Sequence, residues 1–261
     1  MRQEPGVRMN GFEKHGIGHS SPSAINLFAN APCAFVAKYL YGKTFKFGLA
    51  ARAGVLVENA VVNVLARGFP AEAAISDAVD AYNKETAFGC SESERKRGDG
   101  IPGMIENALE ALAQYGEPEF DRVLGDTKQK KIELLCRGDG WTLPVIGFLD
   151  LHFPKHGLVV DLKTTMAAPS VMSEEHTRQG CIYRQAMGNQ AVRFLYVTPK
   201  KAVWHDVPEP APVLAEVKAI LTRQERLLRL EAEDIRAMVP VISGSYYWSG
   251  DEEIRKELYG I

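Results

Sequence analysis

Three side chains in one short stretch have the types and spacing for phosphoryl chemistry. In GFLDLHFPKHGLVVDLKTT (residues 147–165) the apolar residues bracket Asp150, Asp161 and Lys163. Residues two apart on a β-strand share a face. Asp161 and Lys163 therefore project together while Val160 and Leu162 point the other way. A turn of about four residues at Pro154–Gly157 sets Asp150 level with Asp161 on the adjacent strand. Two carboxylates a few ångströms apart repel unless a cation lies between them, and a hard, oxygen-seeking ion such as Mg²⁺ suits that pair. Hydrolysis of a phosphodiester needs such an ion to polarise the phosphoryl oxygen and help form hydroxide from water. It also needs positive charge beside the phosphate, which the Lys163 ammonium supplies. An acidic-x-Lys triplet alone is weak, since a chain this long contains roughly one or two by chance. Taken alone it reads as a solvated strand edge; the combination is what points to chemistry.

The elements that must position these residues are legible around them. KKIELLCRGDGWTLPVIGFLDLHFPKHGLVVDLKTT reads as three strands joined by tight turns at Gly138-Asp139-Gly140 and Pro154-Lys155-His156-Gly157. APSVMSEEHTRQGCIYRQAMG then reads as helix, AVRFLYVTP and KAVWHDV as strands, and PVLAEVKAILTRQERLLRLEAEDI as one long amphipathic helix closing the fold. The first half is helical. SPSAINLFANAPCAFVAKYLYG opens with a Ser-Pro start signal and is interrupted near Pro32. LAARAGVLVENAVVNVLARG carries an apolar stripe ending at Gly68, with Glu58 at its edge, either a solvated flank or a buried ligand. Two more helices follow, AEAAISDAVDAYNKETA and PGMIENALEALAQYG, separated by GCSESERKRGDG, read as an exposed loop. The expected fold class is α/β, with a mixed central sheet flanked by helices and a helical elaboration in front. The expected organisation is a flexible leader over 1–20 and a single domain over 21–261.

The stretch G-F-L-D followed by V-V-D-L-K-T-T resembles the core of the PD-(D/E)xK nucleases, particularly their RecB-like, phage-exonuclease branch. That branch carries Q-x-x-x-Y on the next helix, and Gln179 and Tyr183 match it, on one helix face by their spacing. Gly54-Val55-Leu56-Val57-Glu58 is similar to the upstream motif, a glycine followed a turn later by an acid or histidine. SPSAINLFANAPCAFVAKYL resembles the segment that begins many RecB-like domains. The chain departs in having Val160 in place of proline, Glu58 where that branch often has histidine, and Pro32-Cys33 in reversed order.

The resemblance implies a restriction-endonuclease-like core and a metal-dependent deoxyribonuclease. The catalytic centre would be Glu58, Asp150, Asp161 and Lys163, and Mg²⁺ or Mn²⁺ would be bound by the three acids and the Leu162 backbone carbonyl. Gln179 and Tyr183 would face the DNA. An exonuclease of recombination, repair or phage DNA metabolism comes first by analogy, with a recombination or single-strand-binding protein as a second kind of partner. The alternative is a catalytically silent or partner-activated DNA-binding module; degenerate members usually lose an acid or the lysine, and all are present here. Members with an iron–sulfur cluster place three cysteines after the Q-x-x-x-Y helix. Nothing follows Cys181, so no cluster is expected.

Four basic groups are candidate phosphate contacts: Arg95-Lys96-Arg97, Lys128-Lys130-Lys131, Lys200-Lys201 and Arg223-Arg226-Arg229. Lys128 and Lys130, which begin the sheet, are preferred. The last group reads as a helix face with internal ion pairs to Glu225 and Glu231. His152 either reaches the metal or a phosphate, or is packed.

A formal net charge of −2 excludes binding nucleic acid by bulk basicity but leaves room for a local basic cleft. With 46% hydrophobic and 25% charged residues the chain has a globular balance, against wholesale disorder. Cys33, Cys90, Cys136 and Cys181 form no CxxC pair, so free thiols are expected and a zinc ribbon is not. No apolar run approaches a membrane span and the first residues lack a signal-peptide core, so no membrane partner and a cytoplasmic location are expected.

Overall fold

A computed structural model of the chain describes residues 9–46, 48–123 and 126–261, with the backbone alone at 122, 123 and 126–128. The chain forms two compact units: residues 1–46, 133–147 and 211–261 in one, and 47–132 and 148–210 in the other.

The first unit holds helices α1 (Gly11–Lys14), α2 (Pro22–Asn30) and α3 (Pro32–Tyr39). Helix α1 falls where a flexible leader is expected. It is fixed by a capping box between Asn10 and Glu13, and its Phe12 is buried edge-on to Trp141. The buried Glu225 carboxylate accepts the Gly11 amide at 3.1 Å, and a Cβ at Gly11 would lie 2.2 Å from the Glu225 carbonyl oxygen. Helix α2 starts as the sequence suggests: Ser21 caps it by accepting from the Ala24 amide, with Pro22 in its first turn.

Helices α4 (Leu49–Arg67), α5 (Ala71–Thr86), α6 (Glu92–Asp99) and α7 (Ile101–Leu112) open the second unit. Helix α6 replaces the expected exposed loop. Its signal is Ser91-x-x-Glu94, a reciprocal capping box that satisfies two orphan amides, and the Tyr82 hydroxyl donates to the Glu94 carbonyl at 3.0 Å. Short strands β1 (Asp121–Val123) and β2 (Asp126–Lys128), not expected from the sequence, pair antiparallel. Strands β3 (Lys130–Gly138) and β4 (Trp141–Leu149) form the first expected hairpin, turning at Gly140 with φ of 77°.

The sheet that positions the site comprises β5 (Leu151–Phe153), β6 (Leu158–Thr164), β7 (Ala191–Val197) and β8 (Ala202–Asp206), in that order. It is mixed, as expected: β5–β6 and β7–β8 are antiparallel and β6–β7 parallel. Helix α8 (Glu174–Ala186) makes the parallel crossover. It starts later than the sequence suggests, where Ser173 caps it by accepting from the His176 amide.

Strand β6 separates two environments. Leu158, Val160 and Leu162 join the core cluster containing Val57, Ala60 and Val61 of α4 and Met104 and Ile105 of α7. Asp161 and Lys163 lie on the opposite face. Helix α4 is the one described helix long and apolar enough to cross a membrane, but its buried face belongs to this core.

In the first unit the expected long terminal helix is two, α9 (Pro210–Leu228) and α10 (Ala232–Met238), followed by α11 (Glu252–Tyr259). The break has a tertiary cause. The Lys14 ammonium donates to the Arg229 carbonyl and Glu231, and His15 bonds the Leu230 carbonyl, so the free carbonyls at the end of α9 are satisfied from α1. Just past the end of α9, Arg229 pairs with Glu225 four residues back, as expected of that face, whereas Glu231 pairs with Lys14 instead.

Candidate active site

The β5–β6 register pairs Leu151 with Val160, so one step further sets Asp150 opposite Asp161. There the ladder stops. Asp150 sits in a bend, and its side chain takes over the pairing: Oδ2 accepts the Leu162 amide at 2.9 Å. Glu58 comes from α4. Gly54, one turn earlier, lies against β6, where a Cβ would be 3.2 Å from Thr164 Oγ1, so the glycine permits the approach that brings Glu58 to the strand.

The carboxylates are tied together by neutral and cationic donors. Gln129 Nε2 donates to Glu58 Oε1 at 2.6 Å and to Asp150 Oδ1 at 3.1 Å. Gln179 Nε2 donates to Asp161 Oδ2 at 2.7 Å and to the Tyr183 hydroxyl at 3.0 Å, and that hydroxyl donates to the Phe148 carbonyl at 3.0 Å. The Lys163 ammonium stands 2.5 Å from Asp161 Oδ1 and 5.6 Å from the centre of the Phe194 ring. Asp161 is only 1% exposed, whereas Lys163 is 27% exposed and Glu58 and Asp150 are half-buried, so the site has an open side.

The electrostatics follow from this crowding. Burial raises all three carboxyl pKa values. Charge on Asp161 adds to the rise at Glu58, and charge on Asp161 and Glu58 lifts Asp150 well above the ordinary carboxylate range. Burial works against the Lys163 ammonium, but the carboxylates of Asp161 and Asp150 outweigh it, so its pKa is raised and the side chain stays charged. His176 stacks on Phe194 and bonds the Tyr196 hydroxyl; burial and the nearby Lys163 charge lower its pKa to about 4, leaving it neutral.

Among the described residues no three acidic, histidine or cysteine side chains stand close enough together to hold a metal as they lie. The expected convergence of Glu58, Asp150 and Asp161 is met by the Gln129 amide and the Lys163 ammonium instead. The donor set still fits a hard divalent cation. Its ligand atoms are carboxylate oxygens, three acids face one ammonium, and the buried Asp161 Oδ1 receives no well-directed hydrogen bond despite its ionic neighbour.

Glu58, Asp150, Asp161, Lys163, Gln179 and Tyr183 are thus brought together. Tyr183, expected to face DNA, is 4% exposed with its hydroxyl engaged within the protein; it orients Gln179 and so Asp161. Lys130 pairs with Glu119 at 2.9 Å, beside the buried His152, which also bonds Glu119 and Gln190; His152 is held in that packed group. The Lys128 side chain lies outside the described residues. Gln129 and His176 were not singled out by the sequence reading. Gln129 is a neutral residue between Lys128 and Lys130, and reach across folded elements leaves no mark in local sequence. All four cysteines are free.

The chain matches the family described as the PD-(D/E)XK nuclease superfamily over residues 19–241. It belongs to that superfamily. No curated protein sequence matches it. Among solved structures it is similar to the crystal structure of SSO0001, at 14% identity and a TM-score of 0.36, covering 75% of this chain and 87% of that one.

Proposed function

We propose that this nuclease-superfamily chain is a Mg²⁺- or Mn²⁺-dependent deoxyribonuclease, an exonuclease of the RecB-like branch acting in recombination, repair or phage DNA metabolism. One observation carries the reading: a buried aspartate with an unfulfilled oxygen, two further carboxylates and a charged lysine meet where the β5–β6 ladder stops. Glu58, Asp150, Asp161 and the Leu162 carbonyl would hold the cation, which when bound polarises the phosphate and activates water.

Lys163 is kept protonated by its acidic neighbours, so its role is electrostatic. The ammonium is placed to balance charge building on the scissile phosphate. Gln179 and Tyr183 hold Asp161 in place through the chain of bonds to the Phe148 carbonyl. Gln129 keeps Glu58 and Asp150 together, limiting their repulsion before metal arrives. The exonuclease assignment, the cytoplasmic setting and a recombination or single-strand-binding protein as partner rest on the motif resemblance.

The test incubates purified protein with end-labelled linear and circular DNA in Mg²⁺, Mn²⁺ or EDTA, beside Lys163→Ala. Metal-dependent loss of linear DNA, absent in the variant, supports the exonuclease; nicking of circles points to an endonuclease. No cleavage by either protein shifts the reading to a partner-activated DNA-binding module.

A further inference from the structure

Two basic runs about a hundred residues apart in sequence, Arg95-Lys96-Arg97 and Lys200-Lys201, meet in the fold. Lys96, Lys200 and Lys201 line a cleft of about 710 Å³ whose other walls include Asp99, Pro199 and Met166. The meeting is built. The α6–α7 junction presses on the β7–β8 turn so closely that a Cβ at Gly100 would lie 2.5 Å from Pro199 Cγ, and one at Gly103 2.4 Å from the Pro199 carbonyl oxygen. Thr198 stiffens that turn: its hydroxyl accepts the amides of Lys200 and Lys201 and donates to the Lys201 carbonyl, while Asn107 Nδ2 donates to the Thr198 carbonyl.

The charges in this cleft are not consumed internally. Lys200 and Lys201 have no carboxylate within ion-pair distance among the described residues. Among the described residues Lys96 pairs with Glu92 alone, and both are largely exposed, so water screens that pair. Asp99 is the one acid among the described residues of the wall, so positive charge prevails. Met166, 41% exposed, adds an apolar surface of the kind a sugar or base covers.

The cleft begins close to the catalytic strand. Met166 follows Lys163 by three residues, which reach at most about 10 Å. The Thr165 amide still pairs with the Val197 carbonyl at 3.0 Å, and the chain then bends at Met166 and Ala167, where the Thr165 hydroxyl donates to the Ala167 carbonyl at 2.9 Å.

We propose that this cleft binds the phosphodiester backbone of the DNA strand as it runs from the catalytic centre, with Lys96, Lys200 and Lys201 contacting successive phosphates. The proposal rests on the nuclease reading and adds where the strand goes. Phosphate contacts of this kind anchor without reading sequence. The cleft therefore contributes affinity and salt sensitivity, not base preference.

The experiment measures fluorescence anisotropy of a labelled single-stranded oligonucleotide titrated with Lys163→Ala protein, in EDTA, at several salt concentrations. It is repeated with Lys200→Ala and Lys201→Ala added together, and separately with Lys155→Ala, an exposed lysine in the turn at the far end of β6. Removing two contacts to a single strand lowers the slope of log affinity against log salt by about 1.4. Between roughly 50 and 200 mM salt this makes the affinity lost about sevenfold larger at the low end. Lys155→Ala leaves affinity and slope unchanged. Unchanged affinity and slope in the double variant overturn the cleft while leaving the nuclease reading intact. A parent protein that binds no DNA overturns both.

Discussion

Replacing Gln129 with leucine tests the architecture of the site at its least obvious point. The side-chain amide donates to two half-buried carboxylates, at 2.6 Å to Glu58 and 3.1 Å to Asp150. Hydrogen bonds to charged groups contribute about 1.5–3 kcal/mol each, and partial exposure and incomplete ionisation of the raised carboxyls reduce that, so the pair sums to about 2–4 kcal/mol. For a chain of this size such a loss lowers Tm by roughly 5–12 °C. The deficit is expected in EDTA. A divalent cation satisfies the same carboxylates and stabilises the folded state by mass action, so at saturating Mg²⁺ the variant recovers most of the difference. Thermal unfolding followed by circular dichroism, with parent and Gln129→Leu each in EDTA and in Mg²⁺, gives the four values needed. An equal deficit in both conditions would make Gln129 an ordinary packing residue unrelated to metal.

Other predictions follow from the same cluster. The folded pKa values of Glu58, Asp150 and Asp161 are raised, so the folded state holds more protons than the unfolded chain; their favourable contribution is complete below the unfolded carboxylate pKa values and is lost as pH rises through the folded ones. In EDTA, Asp150→Asn should therefore gain stability relative to the parent between pH 5 and pH 8 in urea unfolding, and a pH-independent difference would count against this. Tyr183→Phe removes bonds to the Phe148 carbonyl and Gln179 and should cost about 1–2 kcal/mol, with kcat falling more than DNA affinity. A variant that loses affinity alone would instead place the Tyr183 hydroxyl on the DNA.

How much was legible beforehand depended on the range of the interaction. Asp150, Asp161 and Lys163 could be read because strand alternation and a short turn fix their relative positions locally, and the buried run Leu158–Val160 marks the strand as internal. Gln179 and Tyr183 came from the resemblance to the Q-x-x-x-Y motif, and helical spacing added only that they share one face. Helix α6 carried a readable signal, Ser91-x-x-Glu94, overshadowed by the charge and flanking glycines of the segment. The break between α9 and α10 was not readable, since Lys14 and His15 satisfy its carbonyls from the far end of the chain. Gln129 is the same case: its partners lie on α4 and in the bend before β5, and only the fold brings them together. Lys130, preferred as a phosphate contact, pairs with Glu119, while Lys200 and Lys201 at the β7–β8 turn have no carboxylate within ion-pair distance among the described residues.

Whether Asp161 and its neighbours hold a divalent cation for phosphodiester hydrolysis is decided by the rate of cleavage of a labelled linear DNA as Mg²⁺ is titrated, for the parent and Asp161→Asn. The expected rate saturates with Mg²⁺, vanishes in EDTA and falls by about a thousandfold or more in the variant, equivalent to roughly 4 kcal/mol of transition-state stabilisation. Cleavage that persists in EDTA, or an Asp161→Asn protein that cuts like the parent, would contradict it.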